Sequence, residues 1–481
     1  MSHGTVYLVG AGPGNPELIT LRGYHLLQQA DVILHDRLIP MELLRAVKPT
    51  AEVICVGKSA DGHSVAQEEI NALIVKKARA GQMVLRLKGG DCYLFGRGGE
   101  EAQACSAAQV PFEVVPGITS ALAVPAYAGI PPTHREYTPH VAIITGHRQA
   151  GKTLEIPKAD TLIFLMSVGN ISAIIEALQE QGWAPETPIA AIERGTCYDQ
   201  RVVTGKLESF LTTLGDIQLR TPAVFVVGKV VDLQQQLDWF GMKKNILVLG
   251  NYPQRYEHLG NIIQRRIIEC VPVEDSSAAD ATLNALGEFD WICFTSVNTA
   301  RFLFERLYAN GLDARALGPA KVAAIGHTTA EKLKAFGLYP DLIPQVTSSS
   351  GLLEAFAEQD LTGKKVLLPR AEVASKTLPD GLRDLGAEVR AVTFYKTIEI
   401  DPGDIDFDYI DAILFTSGST VRAFVKRFDP VPDKDKVQYI ALGKPTQAVA
   451  REHGIDAELM EEQEGRVKGE RMKDEGGKDE E

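Results

Sequence analysis

Residues 289–304 (FDWICFTSVNTARFLF) return in altered form at 410–425 (IDAILFTSGSTVRAFV), with Phe-Thr-Ser at 294–296 and again at 415–417. Residues 322–338 (VAAIGHTTAEKLKAFGL) match 439–455 (YIALGKPTQAVAREHGI), each with a strand-like run, a Gly, a Thr three residues on and then a helical pattern. The run 243–249 (KKNILVL) matches 364–368 (KKVLL), where Pro369-Arg370 follows. Three matched blocks in the same order, start unit, two units, start unit, two units, describe a duplicated α/β domain.

The first half has a different texture. Short apolar runs alternate with amphipathic stretches, the pattern of α/β layering. Strands are predicted at 5–9, 31–35, 83–87, 112–115, 141–145, 161–166, 188–192 and 223–227, and a helix over 17–29 opening at Pro16-Glu17. Pro116-Gly117 divides this half into lobes of about 1–116 and 117–240. A seam at 238–244 leads into the fresh strand 245–249, so the second domain runs over 241–460.

A chain of 481 residues has room for two to four domains. Fifty Lys+Arg against 63 Asp+Glu give a net charge of −13, which argues against a general nucleic-acid binder. An acidic substrate would need a local basic pocket. No apolar run approaches the length of a membrane span, and the N-terminus lacks the basic region of a secretory signal. The six cysteines, Cys55, Cys92, Cys105, Cys197, Cys270 and Cys293, form no CxxC and no metal-ligand spacing, so reduced thiols of a cytoplasmic protein are expected and no metal site is. Residues 461–481 are charge-rich and almost without large apolar groups, and are expected to be a disordered tail.

Three Gly-rich segments carry the candidate chemistry. Gly10-Ala11-Gly12-Pro13-Gly14 joins a strand to a helix, where backbone N–H groups can approach a ligand closely. A dinucleotide site with Asp36 as ribose acid is the obvious guess, but GxGxxG would need Gly at Asn15, and Pro13 removes a donor. Arg86-Leu87-Lys88-Gly89-Gly90-Asp91 followed by Phe95-Gly96-Arg97-Gly98-Gly99-Glu100-Glu101 concentrates glycines and charges at a strand end. There Asp91 can accept hydrogen bonds from a ribose or an ammonium group, and Lys88 or Arg97 can meet carboxylates. A solvated hairpin of paired charges is the alternative. In the third segment, Val115-Pro116-Gly117-Ile118-Thr119-Ser120, a capping role for Thr119 and Ser120 competes with ligand binding.

Together these segments, with HDRL at 35–38, GK at 57–58, AYAGIPPTHR at 126–135, FLM at 164–166 and ERGT at 193–196, resemble uroporphyrinogen-III C-methyltransferase, a tetrapyrrole methylase that uses S-adenosyl-L-methionine. The resemblance spans about 1–235. It implies a two-lobed methylase fold and a cofactor site of Pro13, Gly89, Gly90, Asp91, Leu94, Thr119, Ser120, Met166 and Gly195, with S-adenosyl-L-homocysteine as product. It further implies Asp36 as proton acceptor, Lys58 as proton donor and a homodimer through this half. The family usually has Pro after Gly-Gly-Asp, where this chain has Cys92, which puts the rigidity of the loop in question. Because the implied substrate carries eight carboxylates, Arg22, Lys58, Arg97 and Arg135 are candidates to receive them.

The second half resembles uroporphyrinogen-III synthase over about 245–460. The carriers are the duplicated Phe-Thr-Ser strands, the turns Gly326/Thr329 and Gly443/Thr446, Leu368-Pro369-Arg370 and Phe394-Tyr395-Lys396-Thr397. The resemblance implies two α/β lobes flanking a cleft, with a swapped first strand, so that lobe one is expected at about 243–278 plus 399–460 and lobe two at about 279–398. It also implies Thr295, Ser296, Thr416, Ser417 and Ser419 as substrate-binding residues, and Tyr395 as the residue that helps a hydroxyl leave. A half-buried strand aromatic is the alternative for Tyr395. The expectation is a fusion that makes uroporphyrinogen III and methylates it at C2 and C7 to precorrin-2, on the way to sirohaem or cobalamin. Its rivals are a nicotinamide oxidoreductase built on Gly10–Gly14, and a methylase whose second half is a non-catalytic ligand-binding module.

Overall fold

The computed structural model describes residues 3–57, 65–146, 156–215, 217–250 and 253–461, so Lys58 and nearly all of the expected tail lie outside the described residues. Two compact units divide the chain at Asn245/Ile246.

The first unit has two sheets. The first comprises β1 (Val6–Gly10), β2 (Val32–His35), β3 (Glu52–Cys55), β4 (Val84–Lys88) and β5 (Phe112–Val115), in the order β3-β2-β4-β1-β5, with every pairing parallel. Parallel sheets are covered on both faces. Accordingly Val6, Leu8, Val32 and Leu34 pack into one core, and Val9, Ile33, Leu85 and Leu87 into another on the opposite face. The helix Gln67–Arg79 covers one side with Ile70, Ile74 and Ala78 at four-residue spacing. Glu68 and Glu69 in its first turn and Lys76, Lys77 and Arg79 in its last complement the helix dipole.

The helix expected over 17–29 is broken. A short 3-10 turn, Pro16–Leu18, precedes the α-helix Leu21–Gln29, because Thr20 takes an extended conformation and its side chain caps the N–H of Gly23.

The second sheet is mixed, in the order β6-β7-β10-β8-β9, from β6 (Val141–Thr145), β7 (Thr161–Leu165), β8 (Pro188–Glu193), β9 (Arg201–Lys206) and β10 (Ala223–Val227). Only β6 and β7 pair in parallel. Strand β9 escaped the sequence reading. It is an edge strand, half exposed, and its RVVTGK lacks the apolar run of the buried strands.

The second unit holds two five-stranded sheets. One is β12-β11-β18-β19-β20, from β11 (Asn245–Val248), β12 (Asn261–Gln264), β18 (Ala412–Phe415), β19 (Gln438–Ala441) and β20 (Glu458–Leu459). The other is β13-β17-β16-β14-β15, from β13 (Ile268–Pro272), β14 (Trp291–Phe294), β15 (Lys321–Ala324), β16 (Lys365–Ala371) and β17 (Glu388–Glu399). The repeated blocks take equivalent places, β11 with β16, β18 with β14 and β19 with β15. The chain enters the second sheet earlier than the expected boundary at 278. The reason is β13, which pairs antiparallel with the long β17 from Ile268↔Glu399 to Pro272↔Tyr395.

Candidate functional sites

In the first unit the loops after β1, β4 and β5 meet at the carboxyl edge of the parallel sheet, where ligands bind in open α/β sheets. Gly12 and Gly90 exchange backbone hydrogen bonds (3.2 and 2.7 Å). A Cβ on Gly117 would lie 2.2 Å from the Gly90 carbonyl oxygen and one on Gly10 2.5 Å from Gly117, so only glycine permits this approach. Asp91 ties the loops together. Its Oδ1 accepts the N–H groups of Tyr93 (2.8 Å) and Leu94 (2.9 Å), and its Oδ2 accepts that of Gly117 (3.1 Å). The carboxylate is therefore spent chiefly on backbone.

Gly89 sits at the rim of this surface, exposed, with open space where a side chain would be. Thr119 caps the helix Ser120–Tyr127 by accepting from Ala121 N–H, and a Cβ on Gly90 would lie 3.7 Å from Ser120 N. Leu94 packs against the core of the second lobe.

From that lobe come exposed Met166 and the loop after β8. Gly195 presses on the same helix, since a Cβ there would lie 2.3 Å from Val124 Cγ1. Asn15 donates its N–H to Thr196 Oγ1 (3.0 Å), and a Cβ on Gly14, beside half-buried Pro13, would lie 2.8 Å from Cys197 Sγ. Phe95, Arg97, Met166, Arg194 and Thr196 all hold positive φ without being glycine. Such strain persists only where the surroundings over-determine the backbone, and it clusters at functional sites. Exposed backbone at Gly89, a helix N-terminus and a thioether at the rim fit an adenosyl amino acid.

Asp36 follows β2. Its Oδ1 accepts from Arg86 and its Oδ2 from the N–H of Gly89 (3.3 Å). Arg86 is 2% exposed and also donates through Nε to Glu101 Oε1 (2.9 Å). That same oxygen accepts from Lys88 Nζ (3.0 Å) and Gln67 Nε2 (3.3 Å). Burial works against the charge of Arg86, yet Asp36 and Glu101 more than offset it and hold its guanidinium further toward the charged form. Buried charges must be paired, and these are.

Lys88, a sequence candidate for substrate carboxylates, is consumed in that cluster. Arg86, Glu101 and Gln67 as supports of Asp36 escaped the sequence reading, although two of them lie inside the motif it singled out. The other cations differ from expectation too. Arg22 forms a two-point pair with Glu113 on β5 (2.6 and 2.7 Å), and Arg97 pairs with Glu100 (2.9 and 2.6 Å). Both pairs are exposed, and such pairs contribute only about 0–1 kcal/mol, so a substrate carboxylate can displace the partner. Arg135 is exposed, and Lys58 lies outside the described residues. Cys92, in place of Pro, is fully buried, with its thiol pushed up to about 12 by burial. Its carbonyl accepts the N–H of Gly98 (3.0 Å), which keeps the loop compact without a ring.

In the second unit, helices begin at the carboxyl ends of β14, β15, β18 and β19: Val297–Ala309, His327–Lys334, Gly418–Arg427 and Lys444–Glu452. Ser296 and Ser417 cap the first and third, through Thr299 N–H and Thr420 N–H. Gly326 and Gly443 begin the other two with no side-chain cap, although Thr329 N–H turns back to the Gly326 carbonyl and Pro445 offers no N–H. The hydroxyls expected to receive carboxylates are thus largely engaged: Ser296 and Ser417 as caps, Ser419 with Ser417 (2.9 Å), while Thr416 packs over Gly250. Thr295 is half-buried beside Ser296. Ser348, which caps Ser349–Ala357, was missed, although the run Thr347-Ser348-Ser349-Ser350 before an apolar stretch is a capping signal. Tyr395 on β17 is 7% exposed, stacks on Phe302 (4.9 Å between centroids) and meets Ser296 Oγ at 3.3 Å.

Residues 5–211 match the family model of tetrapyrrole (corrin/porphyrin) methylases, and residues 257–465 that of uroporphyrinogen-III synthase HemD. A Ruminiclostridium josui protein named porphyrin biosynthesis protein HemD is 36% identical over 479 residues, 95% of each chain. An S-adenosyl-L-methionine-dependent uroporphyrinogen III methyltransferase of Methanosarcina barkeri is 49% identical over 243 residues, 49% of this chain and 95% of that one. The uroporphyrin-III-C-methyltransferase structure from Thermus thermophilus is 43% identical, covering 49% of this chain and 96% of its own, with a TM-score of 0.43.

Proposed function

The chain belongs to the tetrapyrrole methylases through its first half and to the uroporphyrinogen-III synthases through its second, and we propose that it carries out two consecutive steps. The second unit cyclises hydroxymethylbilane to uroporphyrinogen III with inversion of ring D. The first unit methylates that product at C2 and C7 to precorrin-2. The observation that carries this reading is the surface where Gly89 lies open between Asp36 and the Asp91-braced loops, in a chain matched almost end to end by one relative.

S-adenosyl-L-methionine supplies the methyl group when bound. The chain's task there is alignment, because pyrrole carbons are electron-rich and need positioning more than activation. Gly89, Gly90, Thr119 and Ser120 present backbone, Met166 and Gly195 close the site from the other lobe, and Pro13 and Leu94 give it apolar walls. Asp36, held by Arg86 and Gly89, accepts the proton that the macrocycle sheds beside the methylated carbon, which itself carries a carboxylate side chain and no hydrogen. In the second unit, helix N-termini suit a substrate lined with acetate and propionate groups. A homodimer through the first unit and a cytoplasmic setting complete the proposal. Among the described residues, no helix is long and apolar enough to cross a membrane.

The methylase half is tested by incubating the full chain with uroporphyrinogen III and S-adenosyl-L-methionine. Product heavier by two methyl groups supports the reading, and unchanged substrate overturns it.

A further inference from the structure

The two lobes of the second unit repeat each other closely, and their difference is informative. Each has a strand ending in Phe-Thr-Ser, and in each the Ser caps the helix that follows. In one lobe the capping Ser417 turns its hydroxyl to Ser419 (2.9 Å), a neighbour on its own helix. In the other, Ser296 Oγ lies 3.3 Å from the hydroxyl of Tyr395, which is 99 residues away in sequence.

That meeting is built rather than incidental. The pairing of β16 with β17 runs Arg370↔Thr393 and then Ala371↔Tyr395, skipping Phe394. Such an irregularity re-aims the side chain that follows it. Phe302, on the helix that Ser296 caps, stacks nearly parallel on the Tyr395 ring (interplanar angle 13°) and fixes its plane. The phenol oxygen therefore stands at a capped helix N-terminus, where negative charge is favoured.

We propose that Ser296 is a positioning residue for Tyr395 in ring closure, and that the duplicated lobes divide the work: chemistry in the Ser296 lobe, substrate holding in the other. The inference rests on the synthase reading of this unit. Ser296 Oγ accepts the N–H of Thr299 (3.0 Å). The same oxygen also meets Thr299 Oγ1 at 2.9 Å; when the phenol passes its proton to the substrate, the Ser296 O–H turns to donate to the phenolate oxygen 3.3 Å away. In the step, the C–O bond of the substrate's hydroxymethyl group breaks and the departing oxygen takes the phenol proton, leaving as water. Ser296 and the helix terminus hold the phenolate while the freed methylene carbon bonds to the bridged α-carbon of the terminal pyrrole; the bond from that carbon to its old bridge then breaks, and the released bridge carbon bonds to the free α-carbon of the same ring, which inverts it. The proton lost from that free α-carbon returns to Tyr395. Atoms and charge balance, with water as the sole by-product.

The test uses the full chain with hydroxymethylbilane, reading kcat and KM for the type III isomer in wild type, Ser296→Gly, Ser296→Thr, Tyr395→Phe and the Gly/Phe double variant. Glycine is nearly as good a cap as serine, so Ser296→Gly removes the hydroxyl and keeps the helix, and a melting curve verifies the fold. Expected is a fall in kcat of about tenfold to a hundredfold with KM within about twofold, recovery in Ser296→Thr, and no further loss when Ser296→Gly is added to Tyr395→Phe. An unchanged kcat in Ser296→Gly, a loss carried in KM, a loss that threonine does not repair, or additive losses would overturn the proposal. Absence of type III product from the wild-type chain would sink the synthase reading itself and is told apart by that control.

Discussion

Arg86 lies sealed inside the first sheet and reaches out to Asp36, so a buried cation fixes a carboxylate at the sheet's open edge. Glu101, wholly buried, anchors that arginine from behind. Lysine can replace the charge of Arg86 but not its two-directional fork. Arg86→Lys is expected to keep the fold and slow methyl transfer by about tenfold to a hundredfold without weakening S-adenosylhomocysteine binding. Arg86→Met leaves Glu101 to Lys88 and Gln67 but removes charged hydrogen bonds to Glu101 and Asp36, and is expected to cost about 1.5–3 kcal/mol of stability. Single-turnover methylation and urea melts separate the two effects. Wild-type rates in Arg86→Lys would mean Asp36 does not need its partner.

Two glycines in the same surface predict opposite outcomes. Gly89→Ala enters open space, so the protein should melt as wild type yet bind S-adenosylhomocysteine at least about tenfold more weakly, about 1.4 kcal/mol, because the methyl group occupies ligand space. Gly117→Ala drives a methyl group into the Gly90 carbonyl, where no side chain can give way, and should lower the melting temperature sharply. Calorimetric titration together with thermal melts checks both. Unchanged affinity in Gly89→Ala would place the ligand elsewhere.

Asp91 accepts three backbone N–H groups from two loops. Bonds to a charged group contribute about 1.5–3 kcal/mol each, and Asp91→Ala should therefore loosen the site before it touches the reaction. The expected result is loss of S-adenosylhomocysteine binding with a lowered melting temperature, and smaller changes on both counts in Asp91→Asn. An Asp91→Ala protein that binds normally would refute the bracing role.

Acid sensitivity should centre on Glu193. Burial raises its pKa, but hydrogen bonds from Arg201 and the Arg220 N–H, with both guanidinium charges nearby, win and hold it below the usual carboxylate range. A depressed folded pKa gives stability that is present above the unfolded value, about 4.3, and is lost as pH falls through the lower folded value. Melting temperature should therefore drop below about pH 4. Glu193→Gln should be less stable at neutral pH and show a shallower acid decline. Parallel acid profiles for both proteins would remove Glu193 from the account.

Much of the architecture was readable because buried parallel strands must be apolar runs, as in Val32–Leu34 or Ala412–Phe415. The edge strand Arg201–Lys206 was not, since half of it meets water. The Gly-rich loops betrayed the first site because close backbone approach excludes every other residue, as at Gly10 and Gly117. Charge pairing was opaque. Arg22 meets Glu113 and Ser296 meets Tyr395 only once distant segments have been folded together, and no local spacing encodes that. The crossing between lobes was misjudged because β13 owes its place to a partner strand more than a hundred residues later in the chain.

The most direct measurement supplies the purified full chain with hydroxymethylbilane, with and without S-adenosyl-L-methionine, and resolves the products after oxidation. The expected result is the type III isomer alone without the methyl donor and the dimethylated product with it. Type I isomer throughout, the product of unassisted cyclisation, would contradict it.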